Sequence, residues 1–367
     1  MLRVDCKNEL LNFLNEKQEK LDVVVMPDFF YDRLISIDYD VASFSSLIAD
    51  VTSRKGGSID AIAQLDIRGG NAVNTASALA ALAVNVTPIV CTSKLGLQQI
   101  KFYLAEECVD FSHIKIAEKA SLTTALEFRT KEGKANVMLR DVGSLANFSP
   151  STLTERDYEL IENADYICLF NWAGTRKFGT ALAETIFSRV KSGGKGKTYY
   201  DTADPTPNKD KISELMRNVL ETSCVDVLSL NENEAVCYAS MFNAEICGNH
   251  RKQRFDELAM EAARVLAKNL PSRIDLHTTV FSATFNKREE VIVPTFKIKP
   301  LRATGAGDAW NAGNILGDGN ALSDECRLTL ANAVSACYLS TLNGVHPTRR
   351  KLTKFVENST LNSPVLI

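Results

Sequence analysis

The run Thr304-Gly305-Ala306-Gly307-Asp308, inside LRATGAGDAWNAGNILG at 301–317, combines a small, backbone-exposing turn with a carboxylate. Gly305 and Gly307 let the main chain turn sharply and approach a ligand that a Cβ would obstruct. A helix starting here leaves its first amide N–H groups unpaired and presents the positive end of its dipole, which together make an anion pocket. Asp308 stands at the mouth of that pocket. A base beside an anion hole is the equipment for transferring a phosphoryl group to a hydroxyl. A turn with Asp308 as an ordinary helix cap uses the same residues without chemistry.

Other candidates fall at places where an α/β sheet presents residues to a ligand. Asp28 and Asp32 follow the short apolar run Val23–Pro27, which has the character of a strand buried on both faces. Arg68-Gly69-Gly70 precedes an Ala-rich helix expected over Thr75–Ala83, and Asn74 offers a donor and an acceptor next to that open backbone. From about residue 154 the pattern alternates as α/β crossovers do. Strands are expected at Tyr166–Phe170, Thr198–Asp201, Val225–Leu230 and Ile274–Leu276, with helices at 178–190, 208–221, 232–241 and 255–268. The ligand edge of such a sheet gathers Asn171, Asp201, Asp204, Asn231 and Glu234.

The elements that must carry these residues read as one α/β domain over 22–350. Residues 1–21 form an amphipathic helical extension through Leu10, Leu11, Phe13 and Leu14, and 351–367 read as a tail. Strands are also expected at Thr87–Cys91, and a helix at Gln98–Glu107. Residues 33–68 do not read as a helix. Together with the short strands Ile114–Ile116, Thr123–Phe128 and Ala135–Leu139, they suggest a small sheet outside the main body (33–68 and 113–140) able to act as a lid. Thr130–Lys134 is the expected hairpin turn within it.

Composition narrows the classes. The chain has 367 residues, 45% hydrophobic and 24% charged, with a formal charge of −3, so neither nucleic-acid nor anionic-membrane binding is favoured. No apolar run reaches the ~20 residues of a membrane span. Nine scattered cysteines, with no Cys-x-x-Cys pair, suit a reduced cytoplasmic protein. Two motifs are decoys. Ser192–Thr198 ends like a phosphate-binding loop, but position 191 is lysine and a strand follows. Gly305-x-Gly307 has Trp310 where a dinucleotide fingerprint needs its third glycine.

Taken in order, Gly69-Gly70-x-x-x-Asn74, Asn231-Glu232-Asn233-Glu234 and Thr304–Asp308 resemble the signatures of the ribokinase-like, or PfkB-type, carbohydrate kinases, over roughly residues 22–350. The resemblance implies a three-layer αβα sandwich with a small β-sheet lid, and frequent dimerisation through that lid. It implies Asp308 as catalytic base, with Gly305, Ala306 and Gly307 as the anion hole. Asp32, Gly69, Gly70, Asn74 and Asn171 are then acceptor-side residues, and Arg68 and Arg140 are candidates to clamp a phosphate already on the acceptor. Asn231, Thr304, His277 and Asn332 fall to the nucleotide side. Asn231 and Glu234 would help hold Mg²⁺ through water, with ATP or ADP as donor and a sugar or sugar phosphate as acceptor. A nucleoside acceptor would call for an aromatic slot near Phe29, Phe30 or Trp172; a sensor that binds without turnover would keep the fold alone. Ala303 stands where the signature usually has an acid that organises a monovalent cation, which sets potassium activation apart from the rest of the resemblance.

Overall fold

Alternate residues along β1 (Asp22–Met26) enter different cores, which fixes the layering. Val24 and Met26 pack with one apolar cluster and Val23 and Val25 with another; β9 (Tyr166–Phe170) splits the same way. The computed structural model describes residues 4–17, 19–104, 108–130, 133–248, 254–287, 289–302, 304–341 and 343–363. Both faces of the central sheet are thus covered, as its near-continuous Val, Ile and Leu runs require. On one face lie the helices Glu155–Asn163, Gly179–Gly193, Glu232–Ala239 and Phe255–Asn269. On the other lie Val4–Asn15, Asn71–Ala81, Ala306–Gly319, Asp324–Leu339 and Arg349–Asn358. The result is a three-layer αβα sandwich.

The central sheet has the order β14-β13-β12-β11-β10-β9-β1-β4. Strands β4 (Asn85–Pro88), β1, β9, β10 (Lys197–Asp201), β11 (Val227–Leu230) and β12 (Arg273–His277) run parallel. Two antiparallel edge strands not anticipated from the pattern, β13 (Phe281–Phe285) and β14 (Glu290–Pro294), complete it. All parallel strands end at one edge, so Asp28, Asn171, Asp201, Asn231 and His277 are brought there from five separate strands. The phosphate-loop decoy is the surface turn leading into β10.

A second sheet stands off this edge, in the order β3-β2-β7-β8, with β2 spanning Phe30–Ile37, β3 Ala63–Gly69, β7 Ser121–Thr130 and β8 Gly133–Asp141. The β7–β8 pair closes as a hairpin at Thr130 and Gly133; two residues of the expected turn, 131 and 132, lie outside the described residues. Two expectations for this region need correction. Residues 33–68 do contain a helix, Val41–Ser53, started by the Asp40 side chain accepting from the Ser43 amide. Its apolar residues Phe44, Leu47 and Val51 recur at helical spacing but are only partly covered, and none is fully buried; Phe44 lies edge-on to Phe128. Ile114–Ile116 does not belong to the small sheet either: β6 (Lys115–Ile116) pairs with β5 (Cys91–Thr92), next to the main body.

Both ends of the chain pack against the main body. The N-terminal helix spans Val4–Asn15 and is docked. Leu10, Phe13 and Leu14 are buried, a gross contribution of roughly 5–9 kcal/mol at about 1.5–3 kcal/mol per side chain. Arg349 closes its far end by donating to the Leu14 carbonyl, with its guanidinium 4.9 Å from the Phe13 ring. The expected tail from 351 begins inside the helix Arg349–Asn358. Beyond it Leu361 bridges to Phe296, and Asn362 bonds Thr295 through both its backbone and side-chain nitrogens. This segment walls the site instead of trailing from it.

Candidate active site

Two cavities meet at Asp308. The larger, about 620 Å³, runs along the sheet edge beneath Asn231, Glu234, His277 and Asn332 to the Gly305–Gly307 turn. The smaller, about 380 Å³, lies between that turn and the small sheet. Gly305, Asn71 and Asp308 line both.

The turn is built as an anion hole requires. Gly305 has φ +82°, and a Cβ there would lie 2.7 Å from the Tyr338 hydroxyl. Gly305 is the N-cap of Ala306–Gly319 and brings no side chain to cap it. The first amide to bond back along the helix is that of Ala309, to the Gly305 carbonyl at 3.1 Å. The amides before it are the unpaired donors of a helix N-terminus.

Asp308 is buried in the first turn of that helix. Its two carboxylate oxygens accept from the side-chain nitrogens of Asn71 and Asn74, each at 2.9 Å. Burial, then the charges of Asp201 and Asp28, raise its carboxyl well above the usual range, and the two asparagine bonds only partly offset this. Asn71 was not singled out in the sequence, because the helix was expected to begin at Thr75. It begins at Asn71, with Gly70 (φ +89°) as N-cap, and so places residues i and i+3 on one face toward Asp308. The signal was present: a glycine N-cap predicts that the asparagine behind it is already helical.

Asp28 is the residue that holds this helix start in place. Its buried carboxylate accepts from the backbone amides of Asn71 and Ala72 and from the Asn171 side chain, at 2.8–3.0 Å. It caps a helix far away in sequence. Asn171, in a left-handed conformation, is fixed by that bond and by accepting from the Gly174 amide; it lines the smaller cavity.

Asp32 reaches the smaller cavity because strand alternation turns it there, with Thr123 opposite it on β7. Gly69 makes room: a Cβ on it would fall 2.0 Å from the Asp32 carboxylate. One Asp32 oxygen is buried without a partner. Burial pushes its carboxyl up to about 6, against the Thr123 bond and the Arg140 charge. Arg140, from β8, lines the same cavity with its guanidinium 4.9 Å from the Phe30 ring.

Arg68 does not join them, contrary to expectation. Ile67 faces the cavity, so its neighbour on β3 faces the other way. Arg68 donates to the Gly344 carbonyl at 2.9 Å and lies 2.8 Å from His346 Nδ1, in a buried cluster with Tyr338. Thr304 is also reassigned: it lines the smaller cavity, not the nucleotide-side one. Ala303 lies outside the described residues.

Along the larger cavity, the Asn231–Glu234 pair is first a capping box. Asn231 accepts from the Glu234 amide, and Glu234 accepts from the Asn231 amide and side-chain nitrogen. Burial, then the charge of Asp201, pushes the Glu234 carboxyl well up; Asp201 is raised mainly by burial. With Asp204 and Glu232 they form an acidic wall of the cavity. Among the described residues no group of three or more His, Cys, Asp or Glu is arranged to hold a metal directly. Two buried carboxylates held above their ordinary range, Asp201 adding to the shift of Glu234, nonetheless fit a divalent cation bound through water and phosphate oxygens.

His277 ends β12 with its ring 4.9 Å from Trp310; burial lowers it to about 4, so it is neutral, and its buried Nε2 has no partner. Asn332 is spoken for internally, accepting from Ser282 and Trp310 and donating to the Pro294 carbonyl. It shapes the cavity wall. Thr295, Phe296, Ile298 and Asn362, which also line it, lie on segments where the sequence offered no motif.

A family model for the pfkB carbohydrate kinases matches residues 39–349. The chain belongs to the pfkB family of carbohydrate kinases. Solved structures with the same fold include a ribokinase from Thermotoga maritima (TM-score 0.66, 16% identity, covering 93% of this chain and 100% of that one). An Arabidopsis thaliana ribokinase complexed with ribose and ATP aligns with TM-score 0.68 at 16% identity over 93% and 99%. An adenosine kinase from Sinorhizobium meliloti gives 0.68 at 16% over 92% and 99%. No match was found among curated proteins. Among the described residues of this pfkB-family chain, no helix is long and apolar enough to cross a membrane.

Proposed function

We propose that the protein transfers the terminal phosphate of ATP or ADP, bound in the larger cavity, to a hydroxyl of a sugar or sugar phosphate in the smaller one. The observation that carries this reading is the position of Asp308 at the junction, with one face on each cavity and the unpaired amides of the Gly305 turn beside it. Asp308 takes the proton of the attacking hydroxyl, and the amides of Gly305, Ala306 and Gly307 face the charge on the transferring group. Asn71 and Asn74 hold both carboxylate oxygens so that the base is oriented before the acceptor arrives. Mg²⁺, held through water near Glu234, Asn231 and Asp201, would neutralise charge on the phosphates. His277, neutral and unpartnered, offers Nε2 to the phosphates or ribose of the donor. The small sheet, closing over the acceptor, excludes water that would otherwise compete. The soluble, cytoplasmic setting inferred from composition suits these substrates.

On the acceptor side Asp32 accepts from sugar hydroxyls, which requires its ionised form. The apparent KM for the acceptor is therefore expected to rise as pH falls through about 6, and Asp32→Asn to raise it at pH 8 and flatten that profile. An unaltered profile in the variant would remove Asp32 from acceptor binding. Because its folded-state value is raised, Asp32 adds stability below about 4 that is lost as pH rises through about 6. The variant should thus be no less stable at pH 8.

A phosphorylated acceptor is favoured by Arg140. Phe30 is the one aromatic of the three considered that lines this cavity, and its ring carries the Arg140 guanidinium; Phe29 and Trp172 are buried in the core. That leaves little free aromatic face for a nucleobase. Arg140→Ala is expected to raise KM for a sugar phosphate at least about tenfold, the scale of one charge-assisted contact. Arg68→Ala should leave it within about threefold, because its guanidinium faces the Gly344 loop. Steady-state kinetics on both variants tests the pair.

A homodimer through the small sheet fits its outer face, where Leu122, Val137 and Leu139 are exposed. The deciding experiment is a product-detected screen crossing ATP and ADP with sugars, sugar phosphates and nucleosides, with and without potassium. Turnover of a sugar or sugar phosphate supports the reading. Turnover confined to nucleosides would redirect it, and calorimetric nucleotide binding without any product would favour a sensor.

A further inference from the structure

Cys6 and Cys326 are brought together by the fold across 320 residues of sequence, with their sulfurs 2.8 Å apart. One lies on the N-terminal helix and the other in the first turn of Asp324–Leu339; both are buried. Unbonded carbons pack at about 3.5–4.0 Å, and an S–S bond is about 2.05 Å long. The pair therefore stands between packing contact and bond. Ordinary core packing would surround two such thiols with apolar groups. Here the exposed Glu9 places a carboxylate oxygen 3.1 Å from the Cys326 sulfur, and its other oxygen accepts from the Ser323 amide at 3.3 Å. The Cys6 carbonyl lies 3.4 Å from the Cys326 sulfur, the Ser323 hydroxyl accepts from the Cys326 amide, and Thr329 lies 3.9 Å from Cys6. The bond from the Cys326 thiol draws Cys6 below the ordinary thiol value and pushes Cys326 above it. Cys6 is thus the better nucleophile and Cys326 the resolving partner, with Glu9 as an outlet for its proton.

We propose that Cys6 and Cys326 form a redox modification site, a dithiol that a small peroxide converts to an intrachain disulfide stapling the N-terminal helix to Asp324–Leu339. The Cys6 thiolate attacks one peroxide oxygen; the O–O bond breaks, giving a sulfenic acid on Cys6 and hydroxide. Cys326, losing its proton through Glu9, then attacks the Cys6 sulfur. The S–S bond forms as the S–O bond breaks, and the hydroxyl leaves as water. Two thiols and one hydrogen peroxide give one disulfide and two waters. A peroxide suits the site because a bulkier disulfide oxidant could not reach sulfurs this buried. The stapled helix carries Asn332, Ser335, Ala336 and Leu339 of the larger cavity's wall, so the bond restrains an element of the candidate active site from its far end.

The test uses the full chain under native conditions, treated with one equivalent of hydrogen peroxide, then alkylated in denaturant and mapped by peptide mass. The expected product joins the peptides of Cys6 and Cys326, two hydrogens lighter, and dithiothreitol reverses it. Oxidised wild type should unfold at least about 3 °C above the reduced form. Cys6→Ser and Cys326→Ser, each close in size, should show neither the cross-link nor the shift. Full alkylation of both cysteines after peroxide would overturn the proposal, as would a stable sulfinic acid on Cys6 without pairing. So would a cross-link or a thermal shift that persists in Cys6→Ser, because another pair would then be responsible.

Discussion

Asp308→Asn is expected to lower kcat at least about 10²-fold, roughly 2.7 kcal/mol of barrier, while the protein still folds and binds nucleotide. The substitution removes the group proposed to take a proton from an acceptor in the smaller cavity. It should not remove the fold. Asn71 and Asn74 each donate to an oxygen of Asp308, so an amide there meets one donor with its own NH₂. Asn74, however, has a buried oxygen with no partner. Rotating its amide by half a turn supplies the acceptor that the new side chain needs. Stability points the same way. The Asp308 carboxyl is raised in the folded state, so the stability it contributes is complete below about 4 and is lost as pH rises through its folded value. Wild type bears that cost at neutral pH, and the variant does not. Thermal melts should therefore show Asp308→Asn equal to or above wild type at pH 8, with the difference shrinking toward pH 4. Near-normal turnover in a folded variant would sink the assignment of Asp308 as base. A collapsed melting curve at pH 8 would contradict the reading of its environment.

The second large effect concerns the turn itself. Gly305→Ala is expected to cost about 10²–10³-fold in kcat, the scale of losing one donor from an oxyanion hole. Two independent faults add. An alanine at φ +82° is strained, and its Cβ would sit 2.7 Å from the Tyr338 hydroxyl, so the turn must shift. Gly307→Ala is a built-in comparison, because its Cβ would meet only the edge of the His277 ring at 3.2 Å. It should be the milder variant. Pairing Gly305→Ala with Tyr338→Phe removes the 2.7 Å contact, keeps the ring carbons at 3.2 Å and leaves the strain, so the double variant should recover part of the loss. If Gly305→Ala and Gly307→Ala prove equal and the double variant recovers nothing, crowding at Tyr338 is not what holds this turn in shape.

Much of the architecture was legible because it rests on short-range rules. Apolar runs of four or five residues alternating with helical periods marked the parallel strands from β9 to β12. The Gly-Ala-Gly-Asp spacing marked one helix start at the site; Gly-Gly announced the helix that faces it, though the pattern starts that helix at Thr75 and leaves its first turn, with Asn71, in the loop. What escaped was structure whose evidence is not local. The helix Val41–Ser53 has Phe44, Leu47, Ile48 and Val51 at helical spacing, but it buries none of its residues and stands between two strands of the small sheet, a place where the crossover pattern gave no reason to expect one. Strands β13 and β14 pair antiparallel at a sheet edge and broke the crossover rhythm that revealed the others.

The sequence by itself determined that a carboxylate stands next to unpaired helix amides, because that arrangement is a consequence of residue order over five positions. Only the tertiary structure decided which partners that carboxylate has. Asn71, brought onto Asp308 across 237 residues, and Asp28, which holds Asn71 and Asn171 from the end of another strand, become neighbours only when the sheet is assembled. Strand alternation likewise decided between two arginines of equal promise. It sent Arg140 into the smaller cavity and Arg68 away from it, because side chains on a strand change face at every residue and the register is set by pairing. The same assembly set Cys6 against Cys326, a contact that no spacing in the chain announces.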